Sequence, residues 1–137
     1  MDANSQGAAD LLTALLRTAA RFSEAGRAVS REFFPHVRAT PIADLAGPAV
    51  RLGAELELPG HDVVLEVRVA VADGTFRVSG ELTLDGADGA VSGETGLDLP
   101  LVETADAARL AALLDRYADE LTAPVRRLVG ALVEGGA

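Results

Sequence analysis

Large aliphatic side chains alternate with polar ones through the middle of the chain, between residues 50 and 99. From Val63 to Val71 every odd position is aliphatic, and Glu66 and Arg68 lie between them. Because successive side chains of a strand point to opposite faces, this alternation predicts a β-strand with one apolar face. Three neighbouring segments repeat the pattern: 50–58, 76–84 and 90–99.

Short turn sequences separate these four segments. Pro59-Gly60 joins the first pair, Asp73-Gly74 joins the second, and residues 85–89, which begin Asp85-Gly86, join the third. Asp-Gly between two alternating segments is a strong signal for a β-hairpin. The sequence therefore predicts a four-stranded antiparallel meander over residues 50–99.

A helical pattern precedes the strands, over residues 7–34, while residues 1–6 are polar and expected to fray. Its apolar side chains recur at helical spacing and share one side: Leu11, Leu12, Leu15, Ala19, Phe22, Gly26, Val29 and Phe33. The opposite side is charged: Arg17, Arg21, Glu24, Arg27 and Arg31. We expect this helix to end at Phe34, because Pro35 disfavours helical dihedral angles in the residue before it.

Residues 35–48 hold three prolines and a glycine, which predicts a long crossover loop from the helix to the first strand. After the strands, residues 104–134 again show apolar positions at helical spacing, with Thr104 as the expected N-cap. Pro124 falls inside this pattern. A helix kinked near Pro124 and two helices that abut there both fit.

These elements predict a single domain spanning residues 1–137. A sheet with one apolar face must cover that face, and the two amphipathic helices are the partners that the chain supplies. We therefore expect a two-layer α+β sandwich in the order α-β-β-β-β-α.

Composition and charge exclude several classes of chemistry. The chain has no cysteine and no lysine, so it lacks thiolate chemistry, cysteine metal ligands, Schiff-base lysines and phosphate-loop lysines. Its net charge of −9 argues against a nucleic-acid-binding surface. No apolar stretch is long enough to span a membrane and no signal peptide is visible, so we expect a cytoplasmic protein.

The only two histidines, His36 and His61, are the first candidates for catalysis. His61 neighbours Asp62, but adjacent strand residues face opposite sides, and no serine nucleophile accompanies them. A metal site would need both histidines together with a carboxylate such as Asp44. The sequence therefore predicts no catalytic residue, metal or cofactor.

The polar face of the sheet carries several glutamates, including Glu55, Glu57, Glu66, Glu81 and Glu94. Three arginines alternate with them along the strands: Arg51, Arg68 and Arg77. Such mixed charges are typical of a solvated sheet face with cross-strand ion pairs.

The arginines of the first helix are the more suggestive feature. Residues 1–40 hold five Arg and four acidic residues, a net charge of +1, whereas residues 41–137 hold seven Arg and seventeen acids, a net charge of −10. Four of these arginines form a row along the polar side of the first helix: Arg17, Arg21, Arg27 and Arg31. This row can be a solvated face, a contact for a partner protein or, less favoured, a contact for a membrane surface.

The first helix, about 40 Å long at 1.5 Å per residue, exceeds the strands, which are about 30 Å long. Its excess, around Phe33 and Phe34 or around Leu11 and Leu12, would be exposed on a monomer. Because burying a phenylalanine contributes about 1.5–3 kcal/mol, we predict a homodimer in which Phe33 and Phe34 contact the partner.

Two functions fit these observations. The first is a non-enzymatic protein-interaction or accessory module, chaperone-like or adaptor-like, that pairs with itself and binds another protein. The second is a binder or isomerase-type enzyme that holds a small hydrophobic ligand between sheet and helices. The first is favoured, because the chain offers no convergent polar groups to orient a substrate.

Overall fold

A computed structural model describes residues 3–86 and 94–135. The protein is α+β, with an antiparallel sheet and helices at both ends of the described chain. The elements are α1 (Ala3–Glu32), β1 (Arg38–Ala46), β2 (Ala49–Leu58), β3 (His61–Ala72), β4 (Thr75–Gly86), β5 (Glu94–Thr104), α2 (Ala107–Thr122) and α3 (Val125–Gly135). The strands follow one another across a single sheet in the order β1-β2-β3-β4-β5.

Among the described residues the sheet has five strands, so the prediction of four is wrong by one. The additional strand, β1, lies within residues 35–48, which the sequence predicts as a crossover loop. It pairs with β2 along its whole length, from Arg38 opposite Glu57 to Ala46 opposite Ala49. Proline is a loop signal in a sequence, but it is tolerated on an edge strand, where its missing N–H costs no ladder hydrogen bond. Pro41 lies in the middle of this edge strand.

The hairpin between β3 and β4 confirms the Asp-Gly signal. Asp73 and Gly74 have φ angles of 53° and 77°, and positive φ at both central residues is the requirement of a type I′ turn. The predicted third turn at 85–89 and the predicted strand start at Ala90 fall largely outside the described residues. The last strand, β5, continues to Thr104, beyond the predicted end at Leu99.

Both long helices cover the same face of the sheet. α1 lies on β1 and β2, whereas α2 lies on β3, β4 and β5. The side chains that the alternation places inward fill the space between the layers. The fully buried ones include Phe22, Leu56, Val63, Val67, Val78, Leu114 and Tyr117. The faces of the strands were therefore predicted correctly.

The helix ends differ from the prediction at both ends of α1, which was expected to end at Phe34, and at the N-cap of α2. α1 begins at Ala3 and ends at Glu32, so residues 3–6 are helical rather than frayed. The N-cap of α2 is Asp106, whose side chain accepts a hydrogen bond from the Ala108 N–H at 3.0 Å. Thr104 instead ends β5. At Pro124 the chain forms two helices, because proline supplies no N–H to continue the hydrogen bonding of α2.

None of the helices that the structure describes is long and apolar enough to cross a membrane.

Candidate interaction surfaces

The predicted arginine row divides into two halves, and the first half is engaged within the chain. Arg17 pairs with Asp115 of α2 at 3.3 Å. Arg21 donates to the Asp115 carbonyl oxygen at 3.0 Å and pairs with the Asp119 carboxylate. These contacts attach α1 to α2. The sequence interpretation did not consider α2 as the partner of these arginines.

The second half of the row stays on the surface. Arg27 and Arg31 each pair with Glu24 of the same helix at 3.4 Å, and all three side chains are exposed. Exposed pairs of this kind contribute about 0.2–1 kcal/mol. Arg27 and Arg31 therefore remain accessible, and their role in binding stays a prediction.

The two phenylalanines that follow α1, Phe33 and Phe34, differ in their burial. Phe33 packs against the core, and a Cβ added at Gly130 of α3 would lie 3.4 Å from the Phe33 Cζ atom. Phe34 is 79% exposed. Of these two phenylalanines, Phe34 is therefore the one whose side chain is accessible to a partner.

A second apolar surface lies at the edge of the helix layer, and we call it the edge patch: Leu12 and Leu16 of α1 and Leu45 of β1. Their side chains are 58%, 62% and 79% exposed. The sequence pattern had placed Leu12 on the sheet-covering face. The sequence signal for this patch is Leu16, because it flanks that face and widens the apolar side of the helix.

The geometry of α1 brings these three leucines to one side. Gly26 contacts Ala39 of β1, and Leu45 lies six residues further along β1, about 20 Å away at 3.3 Å per residue. That distance corresponds to about 13 residues of helix, which puts Leu45 level with Leu12 and Leu16. Arg17 and Arg21 mark the opposite side of α1, which faces α2.

Strand addition is disfavoured at this edge. Pro41 has no N–H and interrupts the row of backbone groups that β1 presents to solvent. A partner at the edge patch therefore contacts leucine side chains rather than extending the sheet.

The face of the sheet opposite the helices is uncovered by any described element, and we call it the open face. Strand register and alternation place nine acidic residues on it: Asp44, Glu55, Glu57, Asp62, Glu66, Glu81, Asp85, Asp98 and Glu103. Four arginines accompany them: Arg38, Arg51, Arg68 and Arg77. The described side chains of the open face thus carry a net charge of 4 − 9 = −5.

Glu66 is an exception among these residues because it is only 3% exposed. Its carboxylate accepts from the Arg51 Nε at 2.8 Å and from the Arg68 Nε at 3.3 Å. The hydrogen bond to Glu66 raises the pKa of the Arg51 guanidinium above its ordinary value. A buried carboxylate needs such partners, since an unpaired one is very costly.

Gly53 explains how Arg51 reaches Glu66. It lies directly opposite Glu66 in the β2–β3 pair. A Cβ there would come within 2.0 Å of the Leu65 carbonyl oxygen, so the close approach of the two strands requires glycine. Because residue 53 has no side chain, Arg51 can extend diagonally across this position. The sequence predicted the outward direction of Glu66 but not its burial.

Three carboxylates form a row across the middle of the open face. Glu66 lies opposite Glu81, and Glu81 lies opposite Asp98. A cavity of about 120 Å³ adjoins this row and is also lined by Arg68 and Ser79. Like charges directly opposite one another are destabilising in a sheet. Within residues 3–86 and 94–135, neither Glu81 nor Asp98 has an ion-pair partner.

The histidines are not brought together as a site. His36 lies exposed in the turn after α1. His61 begins β3, and its Nδ1 atom is buried and has no hydrogen-bond partner among the described residues. Among the described residues, no three His, Asp or Glu side chains are grouped so as to hold a metal ion.

Comparison of the chain with protein-family models, curated proteins and solved structures finds no match.

Proposed function

We propose that this protein is a non-enzymatic interaction module, chaperone-like or adaptor-like, that acts as a homodimer in the cytoplasm and binds another protein. The edge patch is the observation that carries this proposal. Three leucines are each more than half exposed, and by the rise per residue of α1 and β1 they lie level with one another. Because burying one leucine contributes about 1.5–3 kcal/mol, covering all three favours association by several kcal/mol.

A second copy of the chain is the occupant that fits the edge patch. With the two-fold axis perpendicular to the helices, the two α1 helices run antiparallel, and Leu12 of one copy packs beside Leu16 of the other. The exposed residues that flank the leucines at helical spacing on α1 are Ala9, Thr13 and Ala20. Their small side chains let the two helices approach closely, and none of them adds a charge that the contact would have to desolvate.

The packing of the interior supports this function over the ligand-binding alternative. A small hydrophobic ligand needs a cavity between sheet and helices. Phe22, Leu56, Val67, Leu114 and Tyr117 occupy that space, and each is 0% exposed. Side chains packed in this way leave the surface, rather than the interior, as the place where this protein recognises other molecules.

The test introduces a charge into the centre of the edge patch. We expect wild type to sediment as two chains and Leu16→Arg to sediment as one, because the interface would have to bury an unpaired guanidinium. Leu101→Arg is the matched control, since Leu101 is 61% exposed on β5, at the opposite edge of the sheet from β1. It should leave the dimer intact.

Two measurements make the outcome decisive. Far-ultraviolet circular dichroism and thermal melting should be unchanged in both variants, because both side chains are exposed in the single chain. A wild-type protein that sediments as one chain at roughly ten micromolar would contradict the dimer, since interfaces of standard size are usually tighter. Equal dissociation by both arginine variants would contradict the role of the edge patch.

A further inference from the structure

We propose that the open face of the sheet is a docking surface for a basic segment of a partner protein, one that presents arginine or lysine side chains. The inference rests on the proposed function, because it takes the protein to be an interaction module, and it names the chemistry of the partner. It uses a different surface from the edge patch. The helices cover the opposite face of the sheet, so both surfaces can be occupied together.

The charge that remains after internal pairing is the first argument. Arg51, Arg68 and Arg77 already pair with acids of the same face, at 2.6, 3.3 and 3.0 Å. Among the described residues, five carboxylates of this face have no cationic partner: Glu55, Glu57, Asp62, Glu81 and Asp98. A partner with clustered cations is complementary to such a surface, and like-charged partners are repelled.

The row of Glu66, Glu81 and Asp98 is the second argument. Neighbouring strands lie about 4.8 Å apart, so each carboxylate in the row is close to the next. The two arginines that neutralise Glu66 leave the Glu81–Asp98 pair uncompensated. A guanidinium or ammonium group supplied from outside would donate charge-assisted hydrogen bonds to both carboxylates and remove their repulsion.

The cavity beside the row provides room for that group. Its volume is about 120 Å³, and Ser79 adds a hydroxyl that can accept a hydrogen bond. The floor is rigid, because Glu66 is buried and held by two arginines, and Gly53 lets β2 approach β3 closely. A preorganised surface loses little conformational entropy when a partner binds.

The experiment measures the anisotropy of a fluorescently labelled oligo-arginine peptide during titration with the full chain at low salt. We expect wild type to bind with saturation. Combining Glu81→Gln with Asp98→Asn should weaken binding by about tenfold or more, since two charge-assisted contacts are lost. The same variant should melt no lower than wild type, because it removes a like-charge repulsion.

The matched control combines Asp73→Asn with Glu134→Gln, which changes the net charge equally but lies at the β3–β4 turn and on α3. Asparagine tolerates the positive φ of residue 73. We expect less than about twofold weakening in this control. Equal weakening by both double variants, or no saturable binding by wild type, would overturn the docking proposal.

Sedimentation of the same variants separates this inference from the proposed function. Both double variants should keep the oligomeric state of wild type, because neither touches the edge patch. Loss of peptide binding with an intact dimer supports the docking surface alone. If the double variant fails to melt cooperatively, Asp98→Asn, a change at an exposed side chain, replaces it with an expected loss of about threefold.

Discussion

At the scale of single residues, Tyr117 shows how one polar group is accommodated in an aliphatic core. It is the only tyrosine of the chain and its side chain is completely buried. Its hydroxyl donates to the Pro100 carbonyl oxygen at 2.6 Å, which attaches α2 to β5. Burial raises the pKa of the Tyr117 phenol, because the ionised form would lose its hydration.

This shift leads to a prediction about alkaline pH. A raised folded-state pKa means that the stabilisation is complete below the ordinary tyrosine pKa and is lost as pH rises through the raised value. We expect the near-ultraviolet absorbance of tyrosinate to appear late in a titration, together with loss of circular dichroism. Tyr117→Phe should remove that signal and lower the free energy of unfolding by about 1 kcal/mol. Ionisation at the ordinary pKa without unfolding would contradict it.

At the scale of elements, the contact between α1 and α2 decides what the predicted arginine row does. The two helices run in the same direction, since Arg17 meets Asp115 and Arg21 meets Asp119. Such pairs are partly solvated, so their contribution is modest. Their main effect is to set the alignment of the two helices.

The corresponding prediction compares two arginines of one helix. Arg21→Met should lower the free energy of unfolding by about 1 kcal/mol, because it removes an ion pair and the bond to the Asp115 carbonyl. Arg27→Met should change it by less than about 0.5 kcal/mol, since its pair with Glu24 is exposed. Helix propensity is nearly equal for Arg and Met, so urea denaturation isolates the contacts. Equal effects of both changes would show that α2 gains nothing from Arg21.

At the scale of the whole molecule, the two ends of α1 differ. α3 packs against the C-terminal end, where Arg126 hydrogen-bonds Glu32 at 2.6–2.7 Å and Phe33 lies against Gly130. The Arg126 hydrogen bond lowers the pKa of Glu32 below its ordinary value. The described N-terminal part instead exposes Leu12 and Leu16. The excess length of the helix is therefore partly covered at one end and exposed at the other.

This asymmetry predicts different results for the two adjacent phenylalanines. Phe33→Ser should lower the free energy of unfolding by about 2 kcal/mol, because it removes a partly buried ring from the contact with α3. Phe34→Ser should change it by less than about 0.5 kcal/mol, since the ring is mostly exposed. Thermal melting of the two variants measures both. If both variants lost stability equally, the placement of Phe33 against α3 would be wrong.

The α+β class, the Asp-Gly hairpin and the buried faces of the strands follow from the sequence. Alternation and turn residues act over a few neighbouring positions, so they can be recognised along the chain. The strand β1 was not predicted, because these local signals are weak in its sequence. Its small residues and Pro41 give a weak local signal, and its place beside β2, at the edge of the sheet, becomes apparent only in the assembled fold.

The candidate surfaces depended on tertiary structure even where their residues were noticed early. Helical spacing put Leu12 on the apolar side of α1, but the width of sheet under that helix decides whether the side chain is covered. The sequence put Glu66 on the polar face, but Gly53 and two arginines on neighbouring positions of β2 and β3 decide that it is buried. Periodicity determines the direction of a side chain, whereas burial and charge pairing depend on residues that are distant in the chain and adjacent only after folding.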